Sequence, residues 1–194
     1  MKLLTYVILA LIFSSSCAHK KATTPMMTTS TTSEYLDHEH EHMNLLQPFY
    51  AVDPGIKKYV KKSVGYIVFP RIEKGAIGIG GAYGRGKVYA RGAHTFGLIG
   101  YAELTQISAG LQLGGQSYSE IIFFENKKAF NKFKRGEIQL GAQASAVALK
   151  KGVSTKAVFK NGVAVVILKE EGLMGELSVG GQKLSYQPLH MHKK

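Results

Sequence analysis

Tryptophan is absent from these 194 residues, aspartate occurs only as Asp37 and Asp53, and Cys17 is the single cysteine. One thiol excludes an intramolecular disulfide and a thiolate metal cluster. Beyond Asp53 no further aspartate follows, and up to Leu189 the one histidine is His94. A Ser-His-Asp arrangement would have to use His94 with Glu103, and nothing singles out a serine. Paired carboxylates could be drawn from Glu103 and Glu120, which read more simply as exposed strand charges. Gly81-Ala82-Tyr83-Gly84-Arg85-Gly86-Lys87 matches the start of a phosphate-binding loop. However, Val88 stands where Ser or Thr would hold magnesium, and strand continues where a helix should open. Gly78 and Gly80 are followed by Tyr83, so no dinucleotide fingerprint forms either. This inventory argues against an enzyme and against any cofactor.

Positive charge and glycine are what the chain has in abundance. Lys+Arg number 25 against 13 Asp+Glu, a formal charge of +12, and 22 residues are glycine. The length fits one domain with a tail, and 45% hydrophobic residues exclude wholesale disorder. At the start, Lys2 precedes an apolar run, Leu3 to Phe13, too short to span a hydrocarbon core of roughly 30 Å. Ser14, Ser15 and Ser16 then lead to Cys17. This resembles a bacterial lipoprotein signal, although Ser14 stands where that signal usually has leucine. The resemblance implies a signal peptide over 1–16 and diacylation of Cys17. With Ala18 rather than aspartate next, it also implies an outer-membrane site facing the periplasm.

Residues 17–47 read as a flexible tether, Thr- and Ser-rich from Thr23 to Ser33 and His-rich through Asp37–His42, with no apolar period. His38, His40 and His42 alternate with carboxylates, ligand types suited to zinc or nickel. Without a rigid surround they amount to a solvated segment. The same holds for His190 and His192 in the tail, 190–194.

Residues 48–189 predict a single α+β domain, a glycine-rich, mainly antiparallel β-core with two or three helices. Helices are expected near 54–64 and 127–135, and the small-residue stretch 143–151 could form a third. Strands are expected near 66–70, 76–83, 87–90, 96–103, 107–116, 120–125, 138–141, 157–159, 163–169, 175–180 and 183–186, with turns at Asn161-Gly162 and Gly180-Gly181. An apolar strand followed by a glycine-rich one recurs, and such glycines suggest close packing by another backbone or a helix.

Residues 55–189 hold 20 Lys+Arg and 8 Asp+Glu, and 20 − 8 leaves +12. Helical spacing puts Ile56, Tyr59, Val60 and Val64 on one face and Lys57, Lys58, Lys61 and Lys62 on the other. Likewise Ala129, Phe130 and Phe133 oppose Lys127, Lys128, Lys132, Lys134 and Arg135. Such faces are either plainly solvated or meet an anionic surface, most simply phospholipid headgroups. Aromatic platforms interleaved with the lysines are missing, which argues against nucleic acid.

The segments SVGYIVFPRIEKGAIGIGGAYGRGKVYARG, GYAELTQISAGLQLGGQSYSEIIFFEN, FKRGEIQLGAQASAVALKKG and NGVAVVILKEEGLMGELSVGGQKLSYQPL occur in that order. Together they resemble the SYLF-domain family over about residues 55–189. The resemblance implies a lipid-binding module without known catalysis. Eukaryotic members bind phosphoinositides through a basic amphipathic N-terminal helix, whose place Lys57, Lys58, Lys61 and Lys62 occupy here; yeast members bind actin. Neither ligand carries over to a bacterial envelope protein. The expectation is a non-catalytic module that contacts anionic phospholipid through its basic helices. The alternative is a structural envelope protein that binds peptidoglycan or a protein partner through the same faces.

Overall fold

Three runs, Tyr66-Ile67-Val68-Phe69, Ile121-Ile122-Phe123-Phe124 and Ala164-Val165-Val166-Ile167, carry no charged side chain and only one polar atom, the Tyr66 hydroxyl. Successive side chains of a strand point to opposite faces, so such runs need cover on both sides of a sheet. The computed structural model, which describes residues 29–77, 79–93, 95–109, 114–140, 146–150, 156–169 and 181–189, provides that cover. Its elements are helix α1 (Thr29–Val52), α2 (Ile56–Lys62), strands β1 (Gly65–Ile77), β2 (Ile79–Arg91), β3 (Phe96–Ala109) and β4 (Gly114–Phe124), helix α3 (Lys127–Lys134), then β5 (Gln139–Leu140), β6 (Ala146–Ala148), β7 (Val163–Lys169) and β8 (Gln182–Pro188).

The strands form one sheet in the order β5-β8-β3-β2-β1-β4-β7-β6. Every pairing is antiparallel except β6 with β7, which is parallel. The fold is thus mainly β with three helices, and its sheet is mixed at one edge. Four strand spacings of about 4.8 Å separate β8 from β4 along the sheet, yet Gln182 Nε2 lies 3.2 Å from Glu120 Oε2. The sheet therefore curls strongly. Its inner face holds Ile67, Phe69, Ile72, Leu104, Ile122, Phe124, Val165 and Leu184, sealed by Phe130 and Phe133 of α3. The outer face holds Tyr66, Val68, Tyr89, Ile121, Phe123 and Val166 under Leu46 and Phe49 of α1 and Ile56 of α2.

Local chemistry fixes the helix ends. Asn126, in extended backbone, accepts a hydrogen bond from the Ala129 N–H at 3.0 Å and starts α3. Asn126→Ala should cost about 1 kcal/mol of unfolding free energy, read from the urea midpoint. Arg91 closes α2 by donating to the carbonyls of Ser63 (2.9 Å), Val60 (2.9 Å) and Lys61 (2.6 Å). Gly65 leaves room for the Phe130 ring, which a Cβ there would meet at 2.7 Å and push aside. The expected turn at Asn161-Gly162 forms with φ of 53° and 79°, the signs a tight hairpin needs.

Several expectations are corrected. Of the tether expected over 17–47, residues 29–47 are helical and the later part is not solvated, since His42, Leu46 and Phe49 fall on one side of α1 and are buried, while 17–28 lie outside the described residues. The first two expected strands shift: β1 runs unbroken from Gly65 to Ile77, and β2 carries Gly81–Lys87 as strand throughout. Of the strand expected over 107–116, residues 107–109 end β3 and 114–116 begin β4, and the residues between lie outside the described ones. Residues 146–148, read as possible helix, pair with β7 as a strand because that edge needs backbone partners. Residues 157–159 form no strand; a single bridge joins Lys160 to Val163. The expected strand 175–180 lies outside the described residues, as do Cys17, His94 and the tail.

Candidate functional site: one basic end of the sheet

Gly65 pairs with Phe124, so the start of β1 and the finish of β4 share one end of the sheet. Helix α2 leads into that end and α3 leaves it. Ile56 docks α2 on the outer face, whereas Phe130 and Phe133 dock α3 on the inner face. Two helices 65 residues apart in sequence (Lys127 against Lys62, 127 − 62 = 65) thereby bracket a single rim. The apolar side of each is turned into the protein, and Lys57, Lys58, Lys61, Lys62, Lys127, Lys128, Lys132, Lys134 and Arg135 are all exposed.

The nine cations are not equivalent. Arg135 is held by Glu137 through two hydrogen bonds, of 2.5 and 3.0 Å, which raise the guanidinium pKa and lower that of the carboxyl. The eight lysines make no ion pair among the described residues. The Lys57 ammonium sits 5.5 Å from the centroid of the Tyr50 ring and that of Lys134 5.3 Å from the Phe130 ring, cation–π contacts that leave both side chains exposed. Sequence reasoning missed Lys160. It joins this end because Glu125 N–H donates to the Gly162 carbonyl (2.9 Å) and so ties the 161–162 turn to the start of α3. No pattern within Val158–Lys160 announces that placement. The rim also contains acids: Glu125 and Glu137, and Asp53, whose carboxylate accepts from Gly55 N–H at 2.7 Å. Eight unpaired lysines against those few carboxylates leave the end strongly positive.

The remaining candidates scatter. Glu103 lies on the outer face beside Arg85 (3.2 Å), whereas Glu120 points inward and is 0% exposed, so the two cannot act as a carboxylate pair. Glu120 is also no exposed strand charge; burial pushes its carboxyl up to about 8, partly offset by the hydrogen bond from Gln182. His40 and His42 lie in α1 and are not presented together: His40 is exposed, while His42 packs against Tyr89, ring centroids 4.5 Å apart. Its Nε2 also meets the Tyr66 hydroxyl. Among the described residues no helix is long and apolar enough to cross a membrane.

A family profile described as Ysc84, a Las17-binding protein actin regulator, matches residues 105–188. That stretch runs from mid-β3 to the end of β8 and includes α3 but not α2. The chain is also similar to Beta cell expansion factor A of Aeromonas veronii, 28% identical over 134 residues. The similarity takes in 67% of this chain and 48% of that protein, so it spans about half the relative's length. The profile match falls on motifs carried by β3 to β8, and over residues 105–188 the chain is similar to the Ysc84 (SYLF) domain family.

Proposed function

We propose that this protein binds anionic phospholipid at a cell-envelope membrane without catalysis, through the basic rim made by α2 and α3. The observation that carries the reading is the convergence of two lysine faces, from helices on opposite sides of the sheet, at one exposed end. A flat anionic surface can meet both at once. Each lysine near such a surface adds about 1 kcal/mol before salt screening, so four of them strengthen binding by nearly a thousandfold. A SYLF-family domain is a fitting frame for that role, as it belongs to a family of binding modules. Diacylation at Cys17 would hold the rim near an outer-membrane surface facing the periplasm and spare the domain the full cost of association.

The test is co-sedimentation of the domain, without its first 28 residues, with vesicles of phosphatidylglycerol or cardiolipin and of phosphatidylcholine. Wild type should bind the anionic vesicles, lose affinity as salt rises, and ignore the neutral ones. Changing Lys57, Lys58, Lys61 and Lys62 together to Gln should weaken binding at least about tenfold with the fold intact by circular dichroism. Wild type indifferent to anionic vesicles would move the assignment to peptidoglycan or a protein partner.

A further inference from the structure

The inner face is apolar around Phe124 and Phe133 but changes character toward the opposite end of the sheet. There Tyr118 and Glu120 of β4, Gln182 of β8, Gln106 of β3 and Lys74 of β1 are all buried. Gln182 Nε2 donates to Glu120 Oε2 at 3.2 Å and lies 3.5 Å from the Tyr118 hydroxyl oxygen. These contacts bridge strands that are not sheet neighbours, since β3, β2 and β1 stand between β8 and β4. Among the described residues, Oε1 of Glu120, of Gln182 and of Gln106 each lack a hydrogen-bond partner. All three are acceptors, so the cluster is short of donors.

No cation among the described residues supplies one. Among the described residues no Lys, Arg or His forms an ion pair with Glu120. Among the described residues, the other titratable groups on this face are Tyr118, Lys74 on β1, Lys169 on β7 opposite Tyr118 in register, and Tyr186 on β8, whose hydroxyl donates to the Ile99 carbonyl at 3.0 Å. A carboxylate sealed from water without a cation costs far more than a carboxylic acid, which carries its own donor. We propose that Glu120 bears a proton in the folded protein, and that Glu120 and Gln182 form a proton-dependent clasp holding β8 to β4 across the curl of the sheet.

The proton turns one acceptor oxygen of Glu120 into a hydroxyl donor. Removing it leaves an anion facing a carbonyl oxygen and a phenol in a dry site. The strain falls on β8, which is tied to the sheet through β3 and two residues of β5. The folded-state pKa of about 8 stands above the ordinary 4.5. The clasp's contribution to stability is therefore complete below that ordinary value and is lost as pH rises through about 8.

Infrared spectroscopy and hydrogen exchange on the full chain test this. At about pH 6 the wild type should show the carbonyl band of a protonated carboxylic acid, absent from Glu120→Gln, and the band should vanish by about pH 10. Over the same range, corrected for intrinsic exchange, amides of Leu184 and Tyr186 should lose protection at least about tenfold more than those of Val165 and Ile167. Glu120→Gln should flatten that dependence, and Gln182→Leu should keep the acid band while loosening β8 at every pH. A wild type without the band at about pH 6, or with β8 protection unchanged by about pH 10, overturns the clasp. Should Glu120→Gln fail to fold, the wild-type series and Gln182→Leu decide the matter alone.

Discussion

Phe133→Ala is expected to lower the unfolding free energy by about 4 kcal/mol, the upper range for truncating a buried aromatic. Phe133 is fully buried, with ring centroids 5.2 Å from Phe124, 6.2 Å from Phe130 and 5.6 Å from Tyr186. It thus joins α3 to both β4 and β8. An eight-residue helix does not persist alone in water, so α3 exists because this contact holds it. Lys127, Lys128, Lys132 and Lys134 are presented on one side only while α3 is docked. The variant should therefore lose anionic vesicle affinity as well as stability. A urea midpoint within about 1 kcal/mol of wild type would show that α3 is not anchored through Phe133.

The second large effect concerns α1. Phe49→Ala should cost about 3 kcal/mol or more, whereas Met43→Ala, at a position 52% exposed on the same helix, should change stability by no more than about 0.5 kcal/mol. Leu46 and Phe49 cover Tyr66, Tyr89 and Phe123, and Glu41 pairs with Lys87, so the helix is part of the outer core. A solvated tether would show no cost at Phe49 either. Equal, negligible changes at Phe49 and Met43 in thermal or urea unfolding would return residues 29–47 to that description.

The difference in legibility between α1 and the other helices is instructive. In α2 and α3 the lysines mark the wet side so clearly that Ile56, Phe130 and Phe133 could be assigned inward from spacing alone, and the structure puts them there. In α1 the composition is polar, and Pro48 sits inside the helix, where it removes a backbone donor. The apolar spacing of Leu45, Leu46 and Phe49 is short and begins with His42, so docking on the sheet outweighs weak helix propensity. Strands fared similarly. The tight turn at Asn161-Gly162 was readable from its dipeptide, while Gly84 and Gly86 looked like punctuation yet lie within β2, across from Ile72 and Phe69. Convergence of the two basic helices was not readable, because it depends on the pairing of Gly65 with Phe124 across 59 residues (124 − 65 = 59). Glu120 misled for the same reason: its burial follows from the curl that brings β8 over β4.

The outermost strands carry a consequence for how this chain behaves in a crowd. Segments such as Ile121-Ile122-Phe123-Phe124 and Ala164-Val165-Val166-Ile167 have the apolar, β-forming character that drives strands of different molecules to stack. Here they sit in β4 and β7, within the sheet, and what borders the sheet is two-residue β5 on one side and three-residue β6 on the other. Next to β5, β8 finishes at Pro188, which offers no N–H, and carries exposed Lys183. A border so short, interrupted and charged gives a passing strand little to template on. The most self-associating stretches are thereby quarantined, and the folded protein should remain dispersed at concentrations where its isolated strand peptides would form fibrils.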